Sequence, residues 1–298
     1  MPEVPVELRP LGKTGLSVSA VGLGAGRIGG PETSEADVDR LVGGALDAGV
    51  TLIDTARSYG QSEERLGRAL AGRRERVVLS TKVGYGVPGV PDWTSRCITD
   101  GVDAALLRLR TDRLDVVHLH SCELAVLERS GVAEALRSAV QDGKVRVSAY
   151  SGEGDALLWA VRSGLFGAVQ CSVSVVDQAA LDGAVAQAAA RGIGVLGKRA
   201  LGNAPWRFDA RPPEPDVAEA WDRFRALRPD AGGLSWPAFF TRFAAFAPGV
   251  SAVLVGTASL AHLREAAGAV EQGPLDPVRL ASLRGAFAGA GRGWSGRI

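Results

Sequence analysis

Asp54, Lys82, His120, Ser151 and Gln170 recur at one kind of place in this sequence. Each stands at or near the end of a short run of apolar or β-branched residues. Tyr59 follows Asp54 by five residues, on what reads as the same loop. These groups hold and pass protons, and none of them is a good nucleophile or part of a metal cluster. A free tyrosine, with a pKa of about 10, is a poor acid at neutral pH. A neighbouring ammonium favours the phenolate, so Lys82 can assist Tyr59 while Asp54 holds the lysine in place. His120 can donate a hydrogen bond to a substrate oxygen and, with Tyr59, form an oxyanion-type site. The chemistry that suits this set is protonation of an oxygen while another species attacks the adjoining carbon. No side chain delivers hydride, so that species would be supplied by a cofactor.

Such a set works only if the fold gathers residues spread over more than a hundred positions. Eight strand candidates alternate with helical stretches: 18–23, 51–54, 77–81, 114–119, 145–150, 168–172, 193–197 and 251–255. Eight strands, each followed by a helix, predict an α/β fold of the closed parallel (β/α)8 or TIM-barrel kind, one domain over 1–298. In that architecture the carboxyl ends of the strands form the active site, where the polar set falls. Several helix ends are readable. Ser34 caps a helix with an apolar face of Val38, Leu41, Val42 and Ala45, and Gly49 stops it. Asp142-Gly143 and Arg191-Gly192 end the helices before the fifth and seventh strands. An open dinucleotide-binding sheet is the alternative, since GLGAGRIGG (22–30) contains glycines at suggestive spacings. It lacks the acidic ribose partner at the end of a second strand.

The segments VELRPL and LSVSAV, either side of Lys13-Thr14-Gly15, predict a small N-terminal β-hairpin over the bottom of the barrel. Residues 202–235, rich in Pro, Trp and Arg, predict an irregular loop or an added helix. Phosphate sites in such barrels often follow strands seven and eight. Those loops are KRALGN (198–203), with Lys198, Arg199 and Leu201, and GTASLAHLRE (256–265), with Gly256, Thr257 and His262. The second is a small-residue turn opening an amphipathic helix, a shape suited to holding a pyrophosphate. Trp93 and Trp206 are the candidate walls of a substrate pocket, with Phe208 and Trp294 nearby. His118 reads as a buried histidine with a hydrogen-bond partner, one layer deeper than His120. Tyr85, Tyr150 and the cysteines read as packed or loop residues without chemical duty.

Composition narrows the function classes. There are 34 Lys and Arg against 33 Asp and Glu, which gives no general attraction to nucleic acid or to an anionic membrane. Only four of the cations are lysines (Lys13, Lys82, Lys144 and Lys198), so Lys82 and Lys198 at strand ends stand out. Cys97, Cys122 and Cys171 have no metal-ligand spacing and form no even disulfide framework, as suits a reducing cytoplasm. The start, MPEVPVELRP, carries Glu and Pro where a signal peptide would need an apolar run. No apolar stretch is long enough to span a bilayer. The expectation is a soluble cytoplasmic protein.

These residues resemble the aldo-keto reductase family over nearly the whole chain. The most specific stretch is LIDTARSYGQSEERLGRAL (52–70), followed in the family's order by STK (80–82), DVVHLH (115–120), GKVRVSAYSG (143–152) and VQ (169–170). The resemblance implies a catalytic tetrad of Asp54, Tyr59, Lys82 and His120, with Ser151 and Gln170 holding a nicotinamide carboxamide. It implies reduction of an aldehyde or ketone by NADPH, or by NADH, with Tyr59 as general acid. Two other readings use the same residues: an NAD-dependent sugar or alcohol dehydrogenase working oxidatively, and a cofactor-binding regulatory subunit. The chain departs from the family in three places. Ser151-Gly152 stands where many members have Ser-Asn. Lys198-Arg199-Ala200-Leu201 replaces a segment in which a tyrosine stacks on the nicotinamide. The usual cationic contacts to a 2′-phosphate fall near Thr257 and His262, with Arg264 able to compensate.

Overall fold

The computed structural model describes residues 6–129 and 131–296. Among the described residues there are ten strands. β1 (Leu8–Pro10) and β2 (Ser17–Ser19) pair antiparallel as the N-terminal hairpin. The other eight are β3 (Val21–Gly24), β4 (Leu52–Asp54), β5 (Val78–Val83), β6 (Leu114–His120), β7 (Val145–Ser151), β8 (Ala168–Ser172), β9 (Gly194–Lys198) and β10 (Ala252–Gly256). They pair in parallel, in chain order, and β10 closes on β3. The closed parallel barrel excludes the open-sheet alternative. The run expected as one strand over 18–23 breaks at Ala20, so its first half belongs to the hairpin and its second to the barrel.

Side chains alternate across each barrel strand, and the two faces differ in kind. Ile53, Leu79, Val117, Leu119, Val169, Val195 and Val253 face outward into the core shared with the helices. Leu52, Val116, Val147, Ala149, Ala168, Leu196, Ala252 and Leu254 fill the interior at its lower levels. Leu11, Leu16 and Val18 of the hairpin join this inner cluster, and Leu11 and Val18 are fully buried. The hairpin therefore plugs the amino end of the barrel. On the same inward faces, nearer the carboxyl ends, the residues turn polar.

The outer helices end where the sequence indicates. Ser34 and Asp37 form a reciprocal capping box on the helix Glu35–Asp47, whose buried face includes Val38, Leu41, Val42 and Ala45. The helices Val132–Gln141 and Ala186–Arg191 stop before Gly143 and Gly192. The 202–235 region contains an added helix, Pro215–Leu227, after a short helical turn at Pro205–Arg207. Among the described residues, no helix is long and apolar enough to cross a membrane.

Candidate active site

Asp54 ends β4 and Lys82 lies one residue inside the end of β5, so adjacent strands bring them together. The Lys82 Nζ donates to Asp54 Oδ2 at 2.6 Å and to the Thr55 carbonyl at 2.8 Å. Ser80, two residues earlier on the same face, donates to Asp54 Oδ1 at 2.7 Å. Gln170 Nε2 donates to that same oxygen at 3.1 Å from the far side of the barrel. Burial works against charge on Asp54, but Lys82, His118 and the hydrogen bonds outweigh it and hold the carboxyl below its ordinary pKa. Burial also opposes the Lys82 charge, yet Asp54 and Tyr59 raise its pKa above the usual lysine value. Both groups are therefore ionised at neutral pH. The ammonium lies 4.9 Å from the centre of the Tyr59 ring.

His118 and His120 occupy successive inward positions on β6. His118 is fully buried with its Nε2 3.1 Å from Ser80 Oγ, as expected of a structural histidine. Burial pushes its pKa down to about 4. His120, at the strand end, is pushed down to about 3 by burial and by the nearby Lys82 charge. Both are neutral imidazoles at pH 7. The His120 ring stands perpendicular to Tyr59, with centroids 6.1 Å apart. Its Nδ1 lies 2.6 Å from the hydroxyl of Tyr85, a residue that the sequence reading leaves without chemical duty. Tyr85 also packs edge-on against Trp93, with centroids 5.9 Å apart. Tyr59, Tyr85, Trp93 and His120 are all partly exposed and form a rim above the buried pair.

Ser151 ends β7, and Gln170 lies two residues before the end of β8. Both are buried, and Ser151 Oγ donates to Gln170 Oε1 at 3.0 Å. A hydroxyl and an amide thus sit bonded to each other beside the Asp54–Lys82 pair. The departure at Gly152 has a packing cause. A Cβ there would lie 2.3 Å from the Tyr150 hydroxyl oxygen, which is buried and donates to the Cys122 carbonyl. Lys198 ends β9 and pairs at 3.3 Å with buried Glu153, whose Oε1 also accepts the Ser172 N–H. Burial raises the Glu153 pKa and lowers that of Lys198, and the opposite charge of each partner offsets this only in part.

The remaining candidates lie around the same mouth. Arg199 adopts a left-handed backbone and pairs with Asp216 at 3.4 Å, while Leu201 packs on the core. Gly256 ends β10 opposite Gly24 of β3. The Thr257 hydroxyl accepts the Ser259 N–H at 2.9 Å, and Ser259 caps the helix Leu260–Glu271, in whose first turn the exposed His262 lies. Trp206 packs into an aromatic cluster, with its ring 4.7 Å from Phe240 and 6.3 Å from Trp236. Trp294 lies against Phe287 and beneath Arg223. Ser80 and Glu153 are site residues that sequence reasoning passes over, and Tyr85 is one that it reads as without chemical duty. Strand alternation from Lys82 was enough to find Ser80; no local signal marks the other two.

The chain is 34% identical over 154 residues to 6-dehydroglucose reductase of Novosphingobium aromaticivorans, a match covering 48% of this chain and 50% of the relative. It is 36% identical over 157 residues to L-galactose dehydrogenase of Arabidopsis thaliana, covering 49% of each. The chain thus spans about half the length of these curated relatives in the aligned regions. A solved structure assigned to the aldo-keto reductases, from Pseudomonas aeruginosa, superimposes with a TM-score of 0.73 at 31% identity. That match covers 89% of this chain and 94% of the other. The family model for aldo/keto reductases matches residues 20–286. A closed barrel, a buried Asp–Lys pair under a tyrosine and a match over almost all of the chain converge: this protein belongs to the aldo/keto reductase family.

Proposed function

We propose that the protein is a cytoplasmic, NADP-linked carbonyl reductase that converts an aldehyde or ketone to its alcohol, with Tyr59 as the general acid. The observation that carries this reading is the buried, doubly ionised Asp54–Lys82 pair set directly beneath the Tyr59 ring, with neutral His120 across the rim. A nicotinamide cofactor supplies the hydride when bound. The residues present fit one. Ser151 and Gln170 offer a hydroxyl and an amide already bonded to one another, which can instead pair with a carboxamide. The loops at Lys198–Leu201 and Gly256–His262 open beside them, and Arg264, two residues beyond His262, supplies a cation for a 2′-phosphate.

The chain's own residues then act as follows. Tyr59 gives its hydroxyl proton to the substrate oxygen, and Lys82 stabilises the phenolate left behind. Asp54 keeps the lysine charged and in place, while Ser80 and Gln170 fix the carboxylate. His120, neutral and made a weak base by its lowered pKa, can donate to the carbonyl oxygen without taking the tyrosine proton. One relative is named for a reductase and the other for a dehydrogenase, both of sugars. Small polyhydroxy carbonyls are accordingly the first substrates to try, and NAD-dependent oxidation is the reverse use of the same groups. The three cysteines are free thiols, in keeping with a reducing compartment.

The test is Tyr59→Phe, read by cofactor titration and by turnover. NADPH and NADH fluorescence titrations should show unchanged affinity, with a preference for NADPH. Turnover of a responsive carbonyl should fall by about 10²–10⁴-fold. Wild-type turnover in the variant would remove Tyr59 from the chemistry. Tight binding with no turnover of any carbonyl by the wild type would favour the regulatory reading.

A further inference from the structure

We propose that Tyr85 is a positioning residue for this reaction: its hydroxyl donates to His120 Nδ1 and holds the imidazole in the tautomer that carries its hydrogen on Nε2. The proposal rests on the reductase reading, because only that tautomer can donate to a substrate carbonyl oxygen.

A neutral imidazole has one N–H, and which nitrogen bears it is set by the partner of the other. His120 Nδ1 has a partner, the Tyr85 hydroxyl at 2.6 Å. Among the described residues Nε2 has none, which leaves it for a ligand. If Nδ1 bore the hydrogen, Nε2 would present a bare lone pair to the carbonyl oxygen, and the two would repel. Tyr85 has a single hydrogen and two polar neighbours, Nδ1 and the Ser58 hydroxyl at 3.0 Å. The hydrogens can run from Ser58 to Tyr85 to Nδ1, or the other way, from Nδ1–H to Tyr85 to Ser58; only the first direction leaves Nε2 with a hydrogen to give a substrate oxygen, and the proposal assigns that one. Burial raises the Tyr85 pKa, which keeps the hydroxyl protonated and a donor.

The surroundings hold Tyr85 in this role. Its ring lies roughly parallel to the imidazole, at 29° with centroids 5.6 Å apart. On another side it meets Trp93, which is pressed so close to Gly84 that a Cβ there would come within 2.1 Å of the indole. Gly84 has a φ of +137°, and its carbonyl accepts the Trp93 N–H at 2.8 Å. The loop is further closed by Asp92 accepting from the Gly86 N–H and by Arg57 donating to the Gly86 carbonyl. Arg57 and Ser58 both belong to the Tyr59 loop. Tyr85 is thus built into the junction of the two loops that carry Tyr59 and follow Lys82.

The experiment is side-chain ¹⁵N NMR on the full chain labelled at histidine, recorded without cofactor. The chain has three histidines, and the His120 signals are assigned by their loss in His120→Gln. The expected wild-type pattern for His120 is that of the Nε2–H tautomer. In Tyr85→Phe it should move toward Nδ1–H or a mixture, and kcat should fall by about tenfold or more with cofactor affinity unchanged. A wild-type His120 in the Nδ1–H form would overturn the proposal without recourse to any variant. An unaltered Nε2–H pattern in folded Tyr85→Phe would overturn it too. If the wild type shows Nε2–H but turns over no carbonyl with either cofactor, the reductase reading falls and the Tyr85–His120 bond stands.

Discussion

Replacing Lys82 by methionine tests the electrostatic core of the site without any substrate. Met keeps most of the side-chain volume and removes the charge. Asp54 Oδ1 would keep Ser80 and Gln170, but Oδ2 would lose the 2.6 Å bond from Lys82, its one donor among the described residues. Breaking one side of a buried ion pair typically costs about 3–5 kcal/mol. With half the carboxylate still hydrogen-bonded, the lower end, about 3 kcal/mol, is expected. Asp54→Asn should cost a similar amount, since it leaves a buried ammonium holding only the Thr55 carbonyl. The double variant buries no charge, so its loss should fall short of the sum by about 2–3 kcal/mol. Urea unfolding of the cofactor-free protein at pH 7 reads this directly, as a midpoint shift of about 1 M for a slope near 3 kcal/mol/M. The Lys82→Met loss should shrink as pH falls toward the ordinary carboxylate range, because protonation then relieves the uncompensated Asp54. A loss under about 1 kcal/mol, or additive single variants, would refute the account of the pair as mutually dependent.

Two further outcomes follow from residues above and below that pair. The folded pKa of His118, near 4, lies below that of an unfolded histidine, near 6.5, so the unfolded chain takes up a proton first as pH falls. Its contribution to stability is whole above about pH 6.5 and should be lost toward pH 4 at roughly 1.4 kcal/mol per unit, with His120 adding to the slope. Stability that is flat between pH 7 and 4.5 in urea titrations would contradict the neutral burial of His118. At the other end of the barrel, Leu11→Ala should cost about 2–5 kcal/mol, because Leu11 is fully buried in the inner cluster. Its kcat should stay at the wild-type value, and a large fall would show that the plug positions the site.

The barrel was legible because its strands are short apolar runs at regular intervals and several of its helices have readable starts or stops, such as Ser34 and Gly192. Asp54, Lys82, His120, Ser151 and Gln170 were legible together because strand alternation fixes which way each points once the strand is placed. Tyr85 was not, since its direction depends on a loop turned by Gly84 and on Trp93 in a left-handed backbone. The Glu153–Lys198 pair joins residues 45 positions apart through a helix start and a strand end, which no local pattern records. Aromatic residues are equally silent about direction. Trp93 lines the rim and Trp206 packs with Trp236 and Phe240, although both lie in similar Pro-rich loops.

With its amino end stoppered by Leu11, Leu16 and Val18, the barrel interior is a blind-ended well. Polar groups line only its upper part, and the levels beneath them are hydrocarbon. Protons reaching Asp54, Lys82 or Tyr59 must therefore come and go by the mouth, the route that substrate and product also use. Whatever covers that mouth during a turnover isolates the proton-handling groups from bulk water at the same moment. Timing of entry and exit, and protection of the transferred proton, are thus tied to one doorway.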